Sequence, residues 1–411
     1  MTSELPPTDR RFTRRQGLAA LGASAVAGLA GGCAQVGFGP GAQEPPLAAP
    51  TTPVQSAPLA GAPAGATIGA GPVRVGLVLP LTSQGAPSVI GGALRNAVEL
   101  AHAESGSGEV TFLVKDDQST PDGARAAAQQ ALSEGAEMFV GPLFAGNVKE
   151  VGRIARAANR PVIGFSTDAT AAARGVYLLS FLIESYVDRI VDYAAGKGRR
   201  AIAALAPDND YGRVALAEFQ SFGATKGVRV VAIEQYTSAT LNAAAAKIAA
   251  LGNQIDALFV PEQGDGLAAV AQAIANARID VRRVQILGAG LWSGSAALKA
   301  PALQGAWFSA PEGAGFSAFA QRYRAKFNAD PPRIATLAYD AASLAGALAR
   351  AQGSQRFAES VLTSPAGFNG ADGVFRFRAD GLNERGLAVM QVSNGGATTI
   401  AAAPRSFGAA T

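Results

Sequence analysis

The chain has 411 residues, 48% hydrophobic and 16% charged, which predicts a well-buried globular body rather than disorder. Half of the net charge of +4 comes from residues 1–32, which carry four arginines against two carboxylates. The remaining excess is too small for a nucleic-acid-binding surface. With one cysteine and one histidine, the sequence excludes an intrachain disulfide and a His/Cys metal site, and we expect no cofactor.

Residues 1–32 have the anatomy of a signal peptide. A basic region ends at Arg15, and a weakly apolar run follows that is too short and too glycine-rich to span a bilayer. The ending Ala30-Gly31-Gly32-Cys33 resembles a bacterial lipobox, with Ala30 where that family usually has Leu. The resemblance implies that the thiol of Cys33 is lipidated and that the chain is cut just before it.

Two further features concern export and the tether. The segment from Thr13 to Leu18 resembles a twin-arginine signal, but its arginines also fit an ordinary basic region, so Sec and twin-arginine export both stay open. Ala34 is not the Asp that typically retains lipoproteins in the inner membrane, which favours an outer-membrane address.

Residues 33–72 comprise the lipid-attachment cysteine and a low-complexity linker of Ala, Pro and Gly that is expected to be disordered.

From Val73 onward, strand and helix patterns alternate. VRVGLVLPL, VTFLVKDDQ, AEMFVGPL and RPVIGFST predict four strands, and three helical segments separate them. This alternation predicts right-handed βαβ units in a doubly wound α/β sheet. Ligands of such sheets bind beyond the carboxyl ends of the strands, which here carry LTSQGA, DDQST, PLFAGN and STDAT.

A second α/β set of similar size follows, from the helix ESYVDRIVDYAAGKG to the strand VQILGAGLW. Two helices come next, FSAFAQRYRAKF and PRIATLAYDAASLAGALARA, and then a hairpin-like segment that turns at Ala379-Asp380-Gly381. Two α/β lobes of similar size predict a ligand cleft between them and a hinge motion.

VRVGLVLPLTSQGAPSVIGGALRNAVELA, FVGPL, RPVIGFSTDAT and LAPDNDYGRVALAEFQ resemble the type I periplasmic-binding fold, above all its Leu/Ile/Val-binding receptors. The resemblance covers roughly residues 73–400. It implies three crossovers between the lobes, near Leu182, Ser309-Ala310-Pro311 and Arg376-Phe377. Lobe 1 would then comprise residues 73–182 and 311–376, and lobe 2 residues 183–310 and 377–403.

The same resemblance implies a ligand site. Tyr211 matches the family tyrosine of lobe 2, although it could instead cap its own loop. In the family, the loop after the fourth strand supplies hydroxyl and backbone N–H groups to the ligand. The alternative is that this loop only caps the next helix. Its residues here are Ser166, Thr167 and Asp168. Ser83 and Trp292 complete the candidates, with core packing as the alternative for Trp292.

Two positions depart from the amino-acid receptors. Phe144-Ala145-Gly146 stands where a serine is expected after the third strand. No carboxylate occurs near Gly290-Leu291-Trp292, where the family has the acidic partner of the ligand's ammonium group; Asp168 or Glu262 could substitute. Losing that partner would remove a charge-assisted bond worth about 1.5–3 kcal/mol.

The expected function is binding of a small polar ligand, an amino acid being one candidate, for uptake through an ABC permease or for sensing. As the alternative, GPLFAGNV, PVIGFSTD and PALQGAWFSAPE resemble the periplasmic domain of lipoprotein activators of penicillin-binding proteins, which implies a peptidoglycan synthase as partner. Well-known activators carry an N-terminal helical-repeat domain, and this chain has only the linker at that position. No GxSxG, Walker A or paired metal-ligand motif occurs, so we expect no enzyme.

Overall fold

A computed structural model describes residues 66–408 except 107 and 265. Its strands are β1 (Thr67–Ile68), β2 (Val73–Leu79), β3 (Thr82–Ser83), β4 (Ala86–Pro87), β5 (Val110–Asp116), β6 (Met138–Val140), β7 (Val162–Gly164), β8 (Val176–Leu178), β9 (Ala201–Pro207), β10 (Arg229–Tyr236), β11 (Ala257–Phe259), β12 (Gln285–Gly288), β13 (Trp307–Ala310), β14 (Phe368–Gly370), β15 (Gly373–Phe377), β16 (Asn383–Arg385), β17 (Ala388–Ser393) and β18 (Gly396–Ala401).

Three helices begin at a polar side chain that satisfies a free N–H group of the first turn. Ser88, Thr120 and Asn209 each accept a hydrogen bond from the third residue after them. The helices are α1 (Val89–Ser105), α2 (Pro121–Ser133), α3 (Ala145–Ala157), α4 (Ile183–Gly196), α5 (Asp210–Thr225), α6 (Leu241–Ala250), α7 (Gly266–Asn276), α8 (Gly313–Phe327), α9 (Ala335–Ala351) and α10 (Glu359–Leu362).

Lobe 1 is built on a six-stranded sheet with the order β1-β5-β2-β6-β7-β8. All its pairs are parallel except the edge pair β1–β5. Both faces are covered, since Val75 and Leu77 pack with α1, α8 and α9, whereas Val78 packs with α2 and α3. Burial on both faces explains why these strands read as continuous apolar runs.

Lobe 2 is built on a seven-stranded sheet with the order β10-β9-β11-β12-β13-β17-β18. The strands from β10 to β13 are parallel, and β17 and β18 extend the sheet in antiparallel fashion. Along β9, Ala203 and Leu205 pack with α6 and α7, whereas Ile202 and Ala204 pack with α4 and α5. The doubly wound architecture predicted for both lobes is therefore confirmed.

The third crossover lies later in the chain than Arg376-Phe377, where the resemblance placed it. β14, β15 and β16 form a small separate sheet, and Phe377 of β15 packs in the core of lobe 1. The chain joins the lobe 2 sheet only at Ala388, where β17 pairs with Ala310 of β13. The predicted turn at Ala379-Asp380-Gly381 does connect β15 and β16, but the hairpin ends at Arg385.

The crossovers are bonded to one another beside the start of α4. Asn383 Nδ2 donates to the carbonyl oxygen of Ser180 at 3.0 Å, and Arg189 Nε donates to that of Leu387 at 2.8 Å. Ser309 Oγ donates to the carbonyl oxygen of Tyr186 at 2.7 Å. Residues from all three crossover regions therefore meet around the first turns of α4.

Two predictions about the N-terminal part have different outcomes. The ordered body begins before Val73, because β1 pairs with β5 and Ile68 is buried. The predicted signal peptide, Cys33 and residues 34–65 lie outside the described residues. Within the described part of the chain, no helix is long and apolar enough to cross a membrane.

Candidate functional site

The first polar loop of lobe 1 forms the short hairpin β3–β4, and Asp116 holds it in place. The Asp116 carboxylate accepts hydrogen bonds from the N–H groups of Leu81 and Thr82, at 3.0 and 3.1 Å, and from the Thr82 hydroxyl. Ser83 lies in this hairpin with its side chain exposed. The hydroxyl of Ser83 is therefore accessible at the carboxyl end of the sheet.

In the loop after β7, two of the three candidate residues serve the loop itself. Ser166 is buried, and its Oγ accepts the N–H of Asp168 at 3.0 Å. Asp168 accepts hydrogen bonds from Thr170 N and Oγ1 at 2.9 and 2.7 Å, and the Thr170 hydroxyl is the main reason why the pKa of Asp168 is lowered. Thr167 is exposed and leaves its hydroxyl accessible.

Some large apolar side chains are also exposed. Of the residues that the structure describes, four large hydrophobic side chains are strongly exposed: Val89 (72%), Ile90 (37%), Phe144 (46%) and Val214 (43%). Each lies at or near the start of a helix that follows a strand of the two parallel sheets. Phe144 stands at the position where the resemblance implied a serine, so that position offers an aromatic ring instead of a hydroxyl.

Tyr211 lies in the first turn of α5, directly beyond the carboxyl end of β9. Its hydroxyl is buried and has no hydrogen-bond partner among the described residues. Burial raises the pKa of Tyr211, and the nearby Tyr186 and Glu262 raise it further. At neutral pH the hydroxyl therefore keeps its proton and can donate it in a hydrogen bond.

Glu262 is not free to pair with a ligand's ammonium group, because its carboxylate already accepts hydrogen bonds from the protein. Its carboxylate accepts the hydroxyl of Tyr236 and the N–H of Gln263. Its backbone carbonyl accepts the indole N–H of Trp292 at 3.0 Å. Trp292 is fully buried against Phe308, so core packing, the alternative to a ligand contact, describes its position.

An aromatic ring packs on Gly290, one of the residues near which the resemblance implied an acidic side chain. Gly290 follows β12, and a Cβ atom built there would overlap the ring of Tyr186, which lies in the first turn of α4. Burial raises the pKa of Tyr186 to about 12, and the guanidinium groups of Arg385 and Arg333 oppose that rise. Sequence reasoning missed Tyr186, because nothing in the pattern of α4 marks a side chain that packs on a distant glycine.

A second feature that the sequence did not reveal is a group of carboxylates on α4 and α5. Burial raises the pKa of Asp188 to about 8, and the neighbouring Glu218 and Glu184 carboxyl groups contribute to the rise. Burial also raises the pKa of Glu184, and Asp168 of lobe 1 adds to that rise. Asp168 in the loop after β7 therefore acts electrostatically on the start of α4.

The family model for periplasmic binding proteins matches residues 72–397. The chain belongs to this family. The two-lobed type I fold, expected from the sequence, is thereby confirmed, and membership implies a periplasmic location. The family consists of solute-binding proteins, in agreement with the expectation of binding rather than catalysis. No curated protein matched the chain in a sequence comparison.

Solved structures show the same fold at low sequence identity. A putative branched-chain amino acid ABC transporter protein from Rhodospirillum rubrum has 17% identity and a TM-score of 0.69, covering 80% of this binding protein and 99% of its own chain. A solute-binding protein from R. palustris in complex with benzoate has 21% identity and a TM-score of 0.55, covering 82% and 97%. A branched-chain amino acid binding protein from Streptococcus pneumoniae in complex with isoleucine has 21% identity and a TM-score of 0.53, covering 81% and 99%.

Proposed function

We propose that the protein is a lipid-anchored solute-binding protein that closes its two lobes on a small ligand and delivers it to an ABC permease or a sensor. The lipid is attached to Cys33, and the linker after it lets the body reach its partner in the membrane. The ligand lies between the carboxyl ends of the two parallel sheets, where Ser83, Thr167 and Tyr211 are the groups that bind it.

One observation carries this proposal. The hydroxyl of Tyr211 is buried without a partner at the carboxyl end of β9, at the position of the family's ligand-binding tyrosine. An unsatisfied buried hydroxyl lowers stability by about 1–3 kcal/mol, and a ligand acceptor would remove that penalty.

The test is titration calorimetry of the purified full chain with amino acids and with aromatic and aliphatic carboxylic acids. We expect saturable binding of one class with one ligand per chain. Tyr211→Phe should weaken that binding about tenfold, since it deletes one hydrogen bond of about 1.4 kcal/mol. Tyr193→Phe, a tyrosine that packs against Trp307, is the control that should not change the affinity.

A second candidate function is regulation of a peptidoglycan synthase, as in the lipoprotein activators. Two observations favour it: the ring of Tyr186 packs on Gly290, near the position of the family's acidic residue, and four apolar side chains are exposed at the starts of helices. Exposed apolar side chains at the binding edge would suit a protein partner if they form one continuous patch. Crosslinking in intact cells should then recover a synthase, and Ile90→Glu with Phe144→Glu should abolish the crosslink; failure to recover any synthase removes this candidate.

A further inference from the structure

Arg385 is a buried cation whose donors have no acceptor. Its side chain is 1% exposed, and Nε, Nη1 and Nη2 all lack a hydrogen-bond partner among the described residues. The nearest carboxylate oxygen, Asp340 Oδ2, lies 3.7 Å away and forms no hydrogen bond. Asp340 therefore balances the charge of Arg385 without accepting from its N–H groups, and buried donors in this state are unfavourable unless further acceptors approach them.

A neighbouring arginine makes the contrast clear. Arg333 donates two parallel hydrogen bonds to the buried carboxylate of Asp372, at 3.1 and 2.6 Å. Asp372 also accepts the hydroxyl of Thr336 at 3.0 Å. The carboxylate of Asp372 therefore accepts hydrogen bonds from Arg333 and Thr336 and is not an acceptor for Arg385.

The position of Arg385 connects it to the ligand site. It is the last residue of β16, immediately before the chain crosses to lobe 2. Its guanidinium group lies 4.6 Å from the ring centre of Phe181, in the first crossover, and acts electrostatically on Tyr186. Phe181 packs against Tyr186 and Ala289, and Tyr186 packs on Gly290, so a chain of ring contacts joins the guanidinium group to the carboxyl end of β12.

We propose that this donor-rich region binds the carboxylate of an organic acid without an α-ammonium group, with Arg385 as its ion partner. This inference rests on the proposed solute-binding function and specifies its ligand class. A zwitterionic amino acid would bring an ammonium group to Gly290, where Tyr186 leaves no room for a carboxylate partner. The rings of Phe181 and Phe375 cover the guanidinium group, so the acid enters when the lobes separate about the crossovers and Phe181 moves.

The experiment compares two pairs of ligands that differ only in the ammonium group and one pair in which a neutral amide replaces the carboxylate. The full chain is titrated with 4-methylpentanoate against leucine, with 3-phenylpropanoate against phenylalanine, and with benzoate against its neutral isostere benzamide. We expect at least one acid to bind, and its amino-acid or amide counterpart to bind at least about tenfold more weakly, the loss expected for one charge-assisted hydrogen bond.

Substitution of Arg385 tests whether its guanidinium group is the ion partner of the acid. Arg385→Met should weaken binding of the acid by between about tenfold and about 150-fold, the range for hydrogen bonds to a charged group. The matched control is Arg376→Met, which removes a half-buried arginine of the same small sheet whose partner is Glu384. The control should leave the affinity unchanged. If Arg385→Met does not fold, Arg385→Met with Asp340→Asn removes both buried charges and should lose affinity in the same way.

The outcomes separate the two claims. Amino acids that bind as tightly as the matched acids, or acid binding that survives the loss of Arg385, would overturn the ligand class while the solute-binding function stands. Absence of binding by every acid and every amino acid would overturn both.

Discussion

At the scale of single residues, the candidate site is marked by Tyr211 and Arg385, whose donors lack acceptors among the described residues. The ring of Tyr186, which packs on Gly290 near the predicted acidic position, is its third feature. Ser166, Thr167, Asp168 and Tyr211 could be predicted as candidates because they follow strands whose apolar runs are unmistakable. Their individual roles could not be predicted, because only the fold shows that Asp168 caps its own turn while Tyr211 OH has no partner. The burial of Trp292 likewise depends on Gly288, which leaves space for its ring.

The contact between Gly290 and Tyr186 gives a stability prediction. Gly290→Ala should destabilise the protein by about 1–3 kcal/mol, because the new Cβ atom meets the ring. In a Tyr186→Ala background the same substitution should have a much smaller effect. Chemical denaturation of the four proteins in this cycle measures the coupling, and additive effects would show that the ring does not limit this position.

The carboxyl pair of Asp188 and Glu218 gives a pH prediction. Burial raises the pKa of Asp188 from 3.8 to about 8, so its stabilising contribution is complete below about pH 4 and is lost as the pH rises through about 8. Asp188→Asn should therefore stabilise the protein by about 1–2 kcal/mol at pH 8 and by much less at pH 5, a partly exposed group giving less than the full shift.

Melting curves at the two pH values check this expectation. Glu218→Gln removes only a secondary cause of the raised pKa of Asp188, so it should stabilise the protein at pH 8 by less than Asp188→Asn, and the two effects should not add. An equal effect of Asp188→Asn at pH 5 and pH 8 would contradict the raised pKa.

At the scale of elements, the helices and the strands within long apolar runs could be predicted, including the three-residue β6 and β7, whereas β1 and β8 could not. β2, β5 and β9 are buried on both faces, which leaves an apolar run in the sequence. β1 and β8 have two and three residues, and partner strands specify them more than their own residues do. The third crossover was placed too early because the hairpin of β15 and β16 forms its own sheet before β17 joins lobe 2.

The hairpin β3–β4 depends on one carboxylate. Asp116→Ala should destabilise the protein by about 2 kcal/mol, because several backbone and hydroxyl donors lose a charged acceptor together. Hydrogen exchange at the amides of Leu81 and Thr82 should accelerate more than exchange in lobe 2. Asp116→Asn keeps one acceptor oxygen and should have a smaller effect; equal exchange rates in wild type and Asp116→Ala would contradict this role.

At the scale of the whole molecule, the account joins a membrane anchor to a two-lobed binding body. The family match covers the body, residues 72–397, and the anchor rests on the residues around Cys33 alone. Arg385 and Tyr211 have donors without acceptors among the described residues, and we expect a ligand that bridges the lobes to accept from both and to stabilise the closed form.

Membrane attachment is tested by Cys33→Ser. The variant should move from the membrane fraction to the soluble periplasmic fraction, because the hydroxyl cannot accept the lipid. Immunoblots of fractionated cells measure the distribution, with Ala34→Ser as a neighbouring control that keeps the thiol. Retention of Cys33→Ser in the membrane fraction would contradict lipid anchoring.

The measurement that tests solute binding most directly is the melting temperature of the full chain across amino acids, carboxylic acids, small peptides and cell-wall fragments. A ligand that binds only the folded protein adds about 2.7 kcal/mol at 100 times its Kd, which is a clear upward shift. The account predicts such a shift with at least one carboxylic acid and its loss in Tyr211→Phe or Arg385→Met at the same concentration. An unchanged melting temperature across the whole panel would contradict solute binding and leave a protein partner as the ligand of this fold.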